Sequence, residues 1–555
     1  MIVSRTALLE TLSAVQDTVS QLIGDLNESE IKDIEDYLGR ICRHLRCSRN
    51  ALVSINKLPS EILGYIFQFI HADFASPSRS WIEVSYVCRH WRRVALSMPS
   101  LWSVVDLRQK GFDVHKLEAF VQRSKAAPLT VFYQNPPSDH LVLRALQDVV
   151  ARNMYRVRHM HVKADVCPPF SDVILSEPAP SLCSLSLWHK GPAFPLLHAN
   201  SARALFDGRA PLLRKMTISA CALWYVYRIT SLTHLALYNS EAHWFGDSFV
   251  DMLDGCQQLE MLFIVSPHLR LATEVEQQHS NRIVTLPRLH LFYIVRVVCK
   301  CYPLPWLRHL LAHLEIPEYC DFRVEFWMTD REVVPEGSIL SIFPPPAQFH
   351  PLEQVATVKL LTTSTSKSCI AVHSKTLFIV AHGDAFPLGL PNDFLCPIAR
   401  IVIVNNTETT SFLLWRTLLS TTTHLKTLDV FEKYLDTVEF IQLLCPDLGA
   451  EGVSPVRCPG LQTVNWACLS YPDVDLLFGL MAMANDRAHC GSPMRAISIW
   501  PSVNGEDKRT VEFDSLGAPM GYFTRESTDE DCPCLHVVEG LIAAATPKRP
   551  DEDGW

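Results

Sequence analysis

A histidine pair is the first candidate for chemistry in this sequence, which holds 22 histidines in all. His159 and His161 alternate along a presumed strand, so both side chains face the same side, as two ligands of one metal ion would. The other histidines are dispersed along the chain. A solvated strand edge is the simpler interpretation of the pair, and we expect no metal site there.

Short catalytic motifs are absent from the sequence. There is no G-x-x-x-x-G-K-[ST] phosphate loop, no G-x-S-x-G nucleophile elbow and no H-E-x-x-H zinc motif. Glycine is scarce, at 21 of 555 residues, so loops able to cradle a phosphate are few. We therefore expect no catalytic residue, no cofactor and no enzymatic activity. An unrecognised enzyme within residues 106–515 is the least favoured alternative.

The 18 cysteines form no recognisable metal-binding pattern. No C-x-x-C occurs, and the closest pairs, Cys299/Cys301 and Cys532/Cys534, have no second pair at zinc-finger spacing. In a reducing compartment such residues serve as small buried hydrophobic side chains.

Charge and hydropathy argue against two classes of partner. The formal net charge is -9 and no dense Lys/Arg run occurs, so nucleic acid is not an expected partner. The longest apolar uncharged stretch, residues 216–227, is shorter than the ~20 residues needed to cross a membrane. Arg5, Glu10 and Asp17 interrupt the start of the chain, which lacks the apolar core of a secretory signal. We expect no membrane association and a location in the cytoplasm, the nucleus or both.

Two apolar stripes in the first 54 residues predict a pair of helices. Steps of four and three residues alternate in each stripe, which is heptad spacing. Asn27 or Ser29 can cap the second helix, and acidic residues favour its first turn. The stripes are Leu8, Leu12, Val15, Val19, Leu22 and Leu26, then Ile31, Ile34, Leu38, Ile41 and Leu45. We expect an antiparallel helical hairpin or short coiled coil whose stripes pack on each other, with self-association through residues 5–50 as the alternative.

Residues 55–105 contain two amphipathic helices separated by a break at Ser76-Pro77-Ser78. Pro59 and Glu61 suit the first turn of a helix. The apolar face of the first helix consists of Ile62, Leu63, Ile66, Phe67 and Ile70, and that of the second of Val84, Val87, Cys88, Trp91, Val94 and Ala95. A unit of about 50 residues cannot bury so many large side chains internally, so part of this surface should meet a partner or a neighbouring domain.

The ordered set L-P-x-E-I-L-x-x-I-F, V-C-R-x-W-R and L-W over residues 55–105 resembles the F-box. The preceding helices resemble the front end of many F-box proteins from mushroom-forming fungi. The resemblance implies docking to a Skp-family linker, which in turn binds a cullin scaffold. The positions that match the family's linker-contacting residues are Leu58, Pro59, Ile62, Leu63, Ile66, Phe67, Val87, Cys88 and Trp91. Trp91 and Trp102 also suit the core of the unit.

The rest of the chain repeats the phrase apolar-x-x-apolar-x-apolar. Copies begin at Val157, Leu182, Leu213, Leu232, Leu259, Leu289, Val355, Ile398, Leu425, Leu461 and Met494. The first six starts fall 19 to 31 residues apart, which overlaps the leucine-rich-repeat period of ~20–29 residues. The usual Asn or Cys eight residues later is matched by Cys221 alone among seven copies compared, so the repeat is irregular.

In such a repeat the last two apolar residues point inward and the residue between them points outward. Outward positions include Ser186, Thr217, Ala236, Phe263, Tyr293, Asp429 and Asn465. Phe263, Tyr293, Asp429 and Asn465 are candidate contacts for a target protein. The first two are candidate anchors because aromatic residues dominate interface hot spots. Ordinary strand residues of high β-propensity are the alternative interpretation of the two aromatic positions.

The sequence thus predicts an α+β multidomain chain. We expect a helical hairpin in residues 1–54, an all-α F-box in 55–105, an α/β leucine-rich-repeat-like solenoid in 106–515, and an acidic loop with a C-terminal tail in 516–555. The expected function is that of a substrate-recognition adaptor in a cullin-based ubiquitin ligase, which binds the linker and a target protein. A scaffold that does not promote ubiquitination is the alternative.

Overall fold

The computed structural model describes a large part of the chain. The described residues are 5–22, 24, 26–72, 81–107, 114–134, 140–164, 175–189, 205–219, 229–238, 247–265, 282–299, 305–328, 355–363, 367–373, 376–382, 398–405, 416, 418–420, 422–432, 437–445, 448–449, 452–453, 456–468, 474–500, 509–512 and 524–525. The predicted break at Ser76-Pro77-Ser78, Cys221 and most of the predicted tail lie outside them. Among the described residues, no helix is long and apolar enough to span a membrane.

The chain divides into two compact units. One holds Met1–Val104 together with Glu118–Ala127, and the other holds Val105–Leu117 together with Pro128–Arg549. The first unit is largely helical, and the second is built around a large β-sheet.

Two helices, α1 (Arg5–Leu22) and α2 (Glu28–Leu52), begin the chain. The predicted cap is confirmed, because the Asn27 side chain accepts a hydrogen bond from the Glu30 backbone N–H at 3.0 Å. In return, the Glu30 carboxylate accepts one from the Asn27 backbone N–H at 2.9 Å, which completes a capping box.

The apolar stripes of these two helices are only partly covered. Neither α1 nor α2 buries a single side chain. Leu8, Leu12, Val15, Leu22 and Leu45 of the two stripes are among the exposed large hydrophobic residues. The two helices are thus confirmed, and their stripes are only partly covered, since Val19, Leu26, Ile31, Ile34 and Ile41 are half-buried.

Three helices follow: α3 (Ser60–Ala72), α4 (Val84–Val87) and α5 (Arg89–Ser97). Short 3-10 turns lie at Ser54–Lys57, Trp81–Glu83 and Pro99–Trp102. The second predicted helix is divided at Cys88, whose extended backbone ends α4. Its Sγ accepts a hydrogen bond from the Trp91 backbone N–H at 3.5 Å and so caps α5.

The second unit contains the strands of one large sheet and two small two-stranded sheets. The strands are β1 (Val104–Asp106), β2 (Leu129–Gln134), β3 (Val157–Ala164), β4 (Ser184–His189), β5 (Lys215–Ser219), β6 (His234–Tyr238), β7 (Met261–Val265), β8 (Val284–Thr285), β9 (Leu291–Cys299), β10 (Leu314–Glu315), β11 (Asp321–Met328), β12 (Thr357–Thr363), β13 (Lys367–His373), β14 (Thr376–His382), β15 (Arg400–Asn405), β16 (Thr427–Glu432), β17 (Leu448–Gly449), β18 (Gly452–Val453), β19 (Thr463–Cys468), β20 (Ala496–Trp500), β21 (Arg509–Glu512) and β22 (Thr524–Arg525).

Two runs of parallel strands form most of the large sheet. The first passes through β2, β3, β4, β5, β6, β7, β9 and β11. The second passes through β14, β12, β15, β16, β19 and β20. In the first run, neighbouring strands follow chain order and start 19 to 31 residues apart, which is the arrangement of a solenoid. In the second run, the strands from β12 to β20 start 27 to 43 residues apart, and β14 pairs with β12 out of chain order.

The solenoid is interrupted between these runs. Strand β13 is antiparallel to both β11 and β14 and joins the two runs into one sheet. At the end of the sheet β20, β21 and β22 are also paired antiparallel. The irregular repeat predicted from the sequence is thus an α/β strand ladder in two segments.

Helices connect several rungs of the ladder. They are α7 (His140–Ala151), α8 (Asp247–Asp254), α9 (Pro305–Ala312), α10 (Thr437–Leu444) and α11 (Val474–His489). A further helix, α6 (Val114–Arg123), precedes β2 and belongs for the most part to the first unit. Phe440 of α10 meets Trp466 of β19 edge to face at 5.6 Å, so this helix packs on the inward side of the sheet. The core of the unit lies between the inward strand residues and such helices.

All eleven copies of the apolar phrase coincide with strands, since the second and third apolar residue of each copy lie within one. Leu235 and Leu237 of β6 are fully buried, for example, while Ala236 between them is half-buried. Strands β2 and β11 are further rungs for which the phrase gave no signal.

Candidate functional site

One side of α3 forms the core of the first unit. Leu63 and Phe67 are buried, and the Phe67 ring lies 5.1 Å from the Trp91 ring of α5. At Gly64 an added Cβ would lie 2.5 Å from the Met98 sulfur, so only glycine allows this close approach without movement of Met98.

Hydrogen bonds fix the turn before α3. Trp91 donates its Nε1–H to the Asn56 side-chain oxygen at 2.6 Å, and the Asn56 amide donates to the Asn50 carbonyl at 2.7 Å. The Leu63 backbone N–H closes the first turn of α3 on the Pro59 carbonyl at 3.0 Å. The Leu-Pro turn is thereby held in one orientation relative to α5.

The end of the motif is anchored by Trp102. Its Nε1–H donates to the Ala95 carbonyl at 2.9 Å, and its ring meets Phe120 edge to face at 5.1 Å. The Arg123 guanidinium lies over the same ring, 4.4 Å from its centroid, in cation–π geometry. The expectation that Trp102 is a core residue is confirmed by its burial.

The other side of α3 is an exposed apolar face. Ile62, Tyr65 and Phe69 follow each other at helical spacing, and 76% of Phe69 is exposed. Tyr86 and Val87 of α4 are exposed as well. We call these five residues the α3–α4 apolar set. Exposed aromatic and aliphatic residues at this density are typical of an interaction site.

The predicted linker contacts therefore divide into two groups. Pro59, Ile62 and Val87 are exposed, and Leu58, Ile66, Cys88 and Trp91 are half-buried. Leu63 and Phe67 are buried in the core of the unit, so their side chains are not accessible to a linker in this structure. Tyr65, Phe69 and Tyr86 are exposed residues that the F-box resemblance did not mark, although the helical spacing of 62, 65 and 69 places the first two beside Ile62.

Outward residues of the first strand run form one row across the sheet. The row consists of Phe132, His161, Ser186, Thr217, Ala236, Phe263 and Tyr293. The predicted positions Phe263 and Tyr293 are direct neighbours in it, with ring centroids 5.6 Å apart in edge-to-face geometry. The structure thus brings together two residues that lie 30 positions apart in the sequence.

Aromatic pairs recur on this surface. Phe132 and His161 stack with ring centroids 4.8 Å apart and an angle of 11° between the planes. Trp188 and Tyr238 lie 4.7 Å apart. An aromatic surface of this kind offers a partner large contact area at little cost in side-chain entropy.

A second outward row on the same strands carries two histidines and a lysine. His159 and His234 belong to the same outward row as Lys215, through the register of β3 to β6. Burial and the positive charges of Arg158 and Lys215 hold the pKa of His159 below its usual 6.5. Burial and Lys215 do the same to the pKa of His234, although the nearby Glu260 acts in the opposite direction.

The predicted outward residues of the second run are partly internal. Asp429 is 1% exposed, and its carboxylate accepts hydrogen bonds from Arg400 Nε at 2.6 Å and Asn465 Nδ2 at 2.5 Å. The prediction that Asp429 contacts a target conflicts with this burial. Asn465 is half-buried and stays a candidate contact.

Arg487 of α11 is a buried structural cation. Its guanidinium donates to the carbonyls of Leu444, Arg457 and Cys458 at 2.6–3.0 Å. Burial lowers the pKa of Arg487, since the charged form loses its hydration. The residue holds the α10 end, the turn before β19 and α11 together.

Cysteine and histidine side chains form no reactive cluster in the described part of the chain. There, no three residues of the types His, Cys, Asp and Glu are placed to hold a metal ion. Burial raises the pKa of the Cys256 thiol to about 12 and raises that of Cys458 as well. Such thiols stay protonated and behave as apolar side chains.

Comparison with known proteins bears on the first unit. Residues 55–108 match the family model described as F-box-like, which confirms the F-box interpretation. No curated protein matches the sequence. Among solved structures, the crystal structure of an internalin from Listeria monocytogenes is similar over 67% of this chain and 89% of that chain, at 11% identity and a TM-score of 0.27. Because this score is low, the assignment of the repeat rests on the strand ladder itself.

Proposed function

We propose that this chain, which carries an F-box-like domain at residues 55–108, is the substrate-recognition adaptor of a cullin-based (SCF-type) ubiquitin ligase. The α3–α4 apolar set is the observation that carries the proposal. A folded F-box-like core has no internal use for exposed side chains such as Tyr65, Phe69 and Tyr86, so they serve contact with a Skp-family linker.

The division of α3 into two sides gives each side a role. Leu63 and Phe67 stabilise the unit from inside, and Ile62, Tyr65 and Phe69 supply the contact. Pro59 and Val87 are exposed and extend this contact, while the half-buried Leu58, Ile66, Cys88 and Trp91 support it at the edge. Burial of aromatic anchors is what gives most protein interfaces their affinity.

The first strand run is the proposed target-binding surface. Phe263 and Tyr293 form its aromatic centre, and Asn465 is a separate candidate in the second run. The adaptor does no chemistry itself. It raises the effective concentration of target lysines near the ubiquitin-loaded conjugating enzyme that the cullin carries.

A scaffold that binds the linker without promoting ubiquitination is the second candidate. Both candidates use the same two surfaces, so binding alone does not separate them. Transfer of ubiquitin to a captured protein separates them, because a scaffold leaves its bound protein unmodified.

The test uses the full chain expressed with its host's Skp-family linker. The variant Ile62→Asp/Phe69→Asp places two charges on the exposed face, and Phe478→Asp is the control, since Phe478 is an exposed phenylalanine of α11. The linker should co-purify with the wild type and the control but not with the double variant. Equal recovery with all three would exclude the assigned contact.

Target contact is tested in the same format. The double variant Phe263→Ala/Tyr293→Ala should no longer co-purify with the proteins whose ubiquitination depends on the linker. The control variant Tyr155→Ala changes an exposed tyrosine outside the row and should still co-purify with them. Retention by the double variant would move the target site away from the first run. Recovery of bound but unmodified proteins by the wild type would favour the scaffold.

A further inference from the structure

We propose that α2 pairs in antiparallel orientation with α2 of a second copy of this chain. This pairing is independent of linker docking, because it uses no residue of the α3–α4 apolar set.

The apolar stripe of α2 is only partly covered within the described chain, since Ile31, Ile34 and Ile41 are half-buried while Leu38 and Leu45 are exposed. The helix has 25 residues and buries no side chain, and Leu45 is 55% exposed. Its length is about 37 Å at 1.5 Å per residue. α1 does not complete the cover, because most of its own stripe (Leu8, Leu12, Val15 and Leu22) is exposed as well. Most of the stability of a helix in a protein comes from packing of its apolar side on another element.

The charges of α2 are separated along its length. Its first nine residues contain five acidic residues and one lysine, and the segment 40–49 contains four arginines and no acid. The helix macrodipole favours such charges in the first and last turns only. It does not explain Glu35 and Asp36, or Arg40 and Arg43, near the middle of the helix.

Antiparallel pairing of two α2 helices covers the apolar stripe and brings opposite charges together. Aligning Leu38 with Ile41 of the second copy also aligns Ile34 with Leu45, so the stripes meet along one seam. The acidic half of each helix then lies opposite the basic half of the other. Parallel pairing would place acid beside acid and arginine beside arginine. Each exposed charge pair contributes little by itself, but together the pairs decide the orientation.

Self-complementarity identifies the occupant as a second copy. A two-fold axis brings the same surface of two chains together, so the surface must complement itself. A helix that is acidic in one half, basic in the other and apolar along one side meets that condition. A partner of a single charge sign would meet repulsion in one half.

The oligomeric state of charge-reversed full chains tests the pairing. One variant carries Arg40→Glu, Arg43→Glu, Arg46→Glu and Arg49→Glu. The other carries Glu28→Lys, Asp33→Lys, Glu35→Lys and Asp36→Lys, and leaves the capping residues Asn27 and Glu30 intact. Light scattering after size exclusion should give a dimer for the wild type, a monomer for each variant alone and a dimer for their mixture.

The control changes four exposed arginines of the second unit, Arg152, Arg158, Arg209 and Arg214, to glutamate, and so changes the net charge by the same amount as the first variant. It should remain dimeric. A monomeric wild type at micromolar concentration, or variants that remain dimeric alone, would overturn the proposal.

A photo-crosslinker at position 49 tests the orientation. In a mixture of isotope-labelled and unlabelled chains, benzoylphenylalanine at this position should crosslink to residues 27–33 of the other copy, since this register places position 49 opposite residue 30. Crosslinks to residues 44–52 of the other copy would mean parallel pairing and contradict the proposal. Neither experiment involves the linker, so its result is separate from that of the linker test.

Discussion

Phe67 and Phe69 lie two residues apart in α3, and replacing each by alanine should have opposite consequences. Phe67 is 1% exposed and packs on Trp91, whereas Phe69 is 76% exposed. We expect Phe67→Ala to destabilise the unit and Phe69→Ala to leave its stability unchanged. Linker affinity, in contrast, should fall through direct loss of contact only in Phe69→Ala.

The magnitudes follow from burial. Removing a fully buried phenylalanine side chain costs about 3–5 kcal/mol, because both transfer and cavity terms apply. A surface substitution costs within about 0.5 kcal/mol. Burying three quarters of a phenylalanine against the linker contributes about 1–2 kcal/mol, which corresponds to a five- to thirtyfold loss of affinity in Phe69→Ala.

Hydrogen exchange followed by mass spectrometry reads out both residues in the full chain. Peptides from α3 and α5 should exchange about 10²-fold faster in Phe67→Ala, as expected for a loss of about 3 kcal/mol, and at the wild-type rate in Phe69→Ala. Titration with purified linker then gives the affinities. Equal protection loss in both variants, or an unchanged affinity in Phe69→Ala, would refute the two-sided account of α3.

Three further outcomes are expected. Arg487→Leu should lower the free energy of unfolding, measured in urea, by several kcal/mol. Three buried carbonyls lose their hydrogen-bond donor, at about 1–3 kcal/mol each. A change below about 1 kcal/mol would contradict this. Folding lowers the pKa of His159 and His234, so the unfolded chain binds more protons and stability should fall as the pH drops below about 6.5. In His159→Gln/His234→Gln the urea midpoint should depend less on pH between 7.5 and 5.5, and an unchanged dependence would refute the assignment. Iodoacetamide should alkylate the exposed Cys42 rapidly and Cys256 only after unfolding, because Cys256 is buried and burial raises its pKa to about 12. Mass spectrometry of the native protein measures the labelling, and equal labelling of both cysteines would contradict the burial of Cys256.

Local periodicity made much of the fold predictable. The capping residue Asn27 and the heptad steps gave α1 and α2, and the spacing of three and two in the apolar phrase gave a strand at every copy. Such signals are reliable because the pattern reflects which side of one element is buried. The same logic gave the inward and outward alternation along the ladder.

Long-range pairing was not predictable in the same way. Only residues 374 and 375 separate β13 from β14, a length that fits an antiparallel hairpin, yet nothing local reveals that β13 also pairs with β11. Asp429 follows the outward pattern, but its burial depends on Arg400 and on Asn465, 36 residues away. A sequence pattern identifies the face of a strand and not what covers it.

The two sides of α3 illustrate the same limit at the candidate site. The resemblance to the F-box marked Leu63 and Phe67 as contacts, because core and interface residues are both large and apolar. Their separation from Ile62 and Phe69 requires knowledge of where α5 packs. The helical spacing contained part of that information, since Ile62 and Phe69 lie on one side of the helix and Phe67 on another.

Calorimetric titration of the purified Skp-family linker into the full chain tests the central claim most directly. We predict saturable binding of one linker per chain, abolished by Ile62→Asp/Phe69→Asp and unaffected by Phe478→Asp. Absence of binding by the wild type, or undiminished binding by the double variant, would contradict the adaptor function assigned to the α3–α4 apolar set.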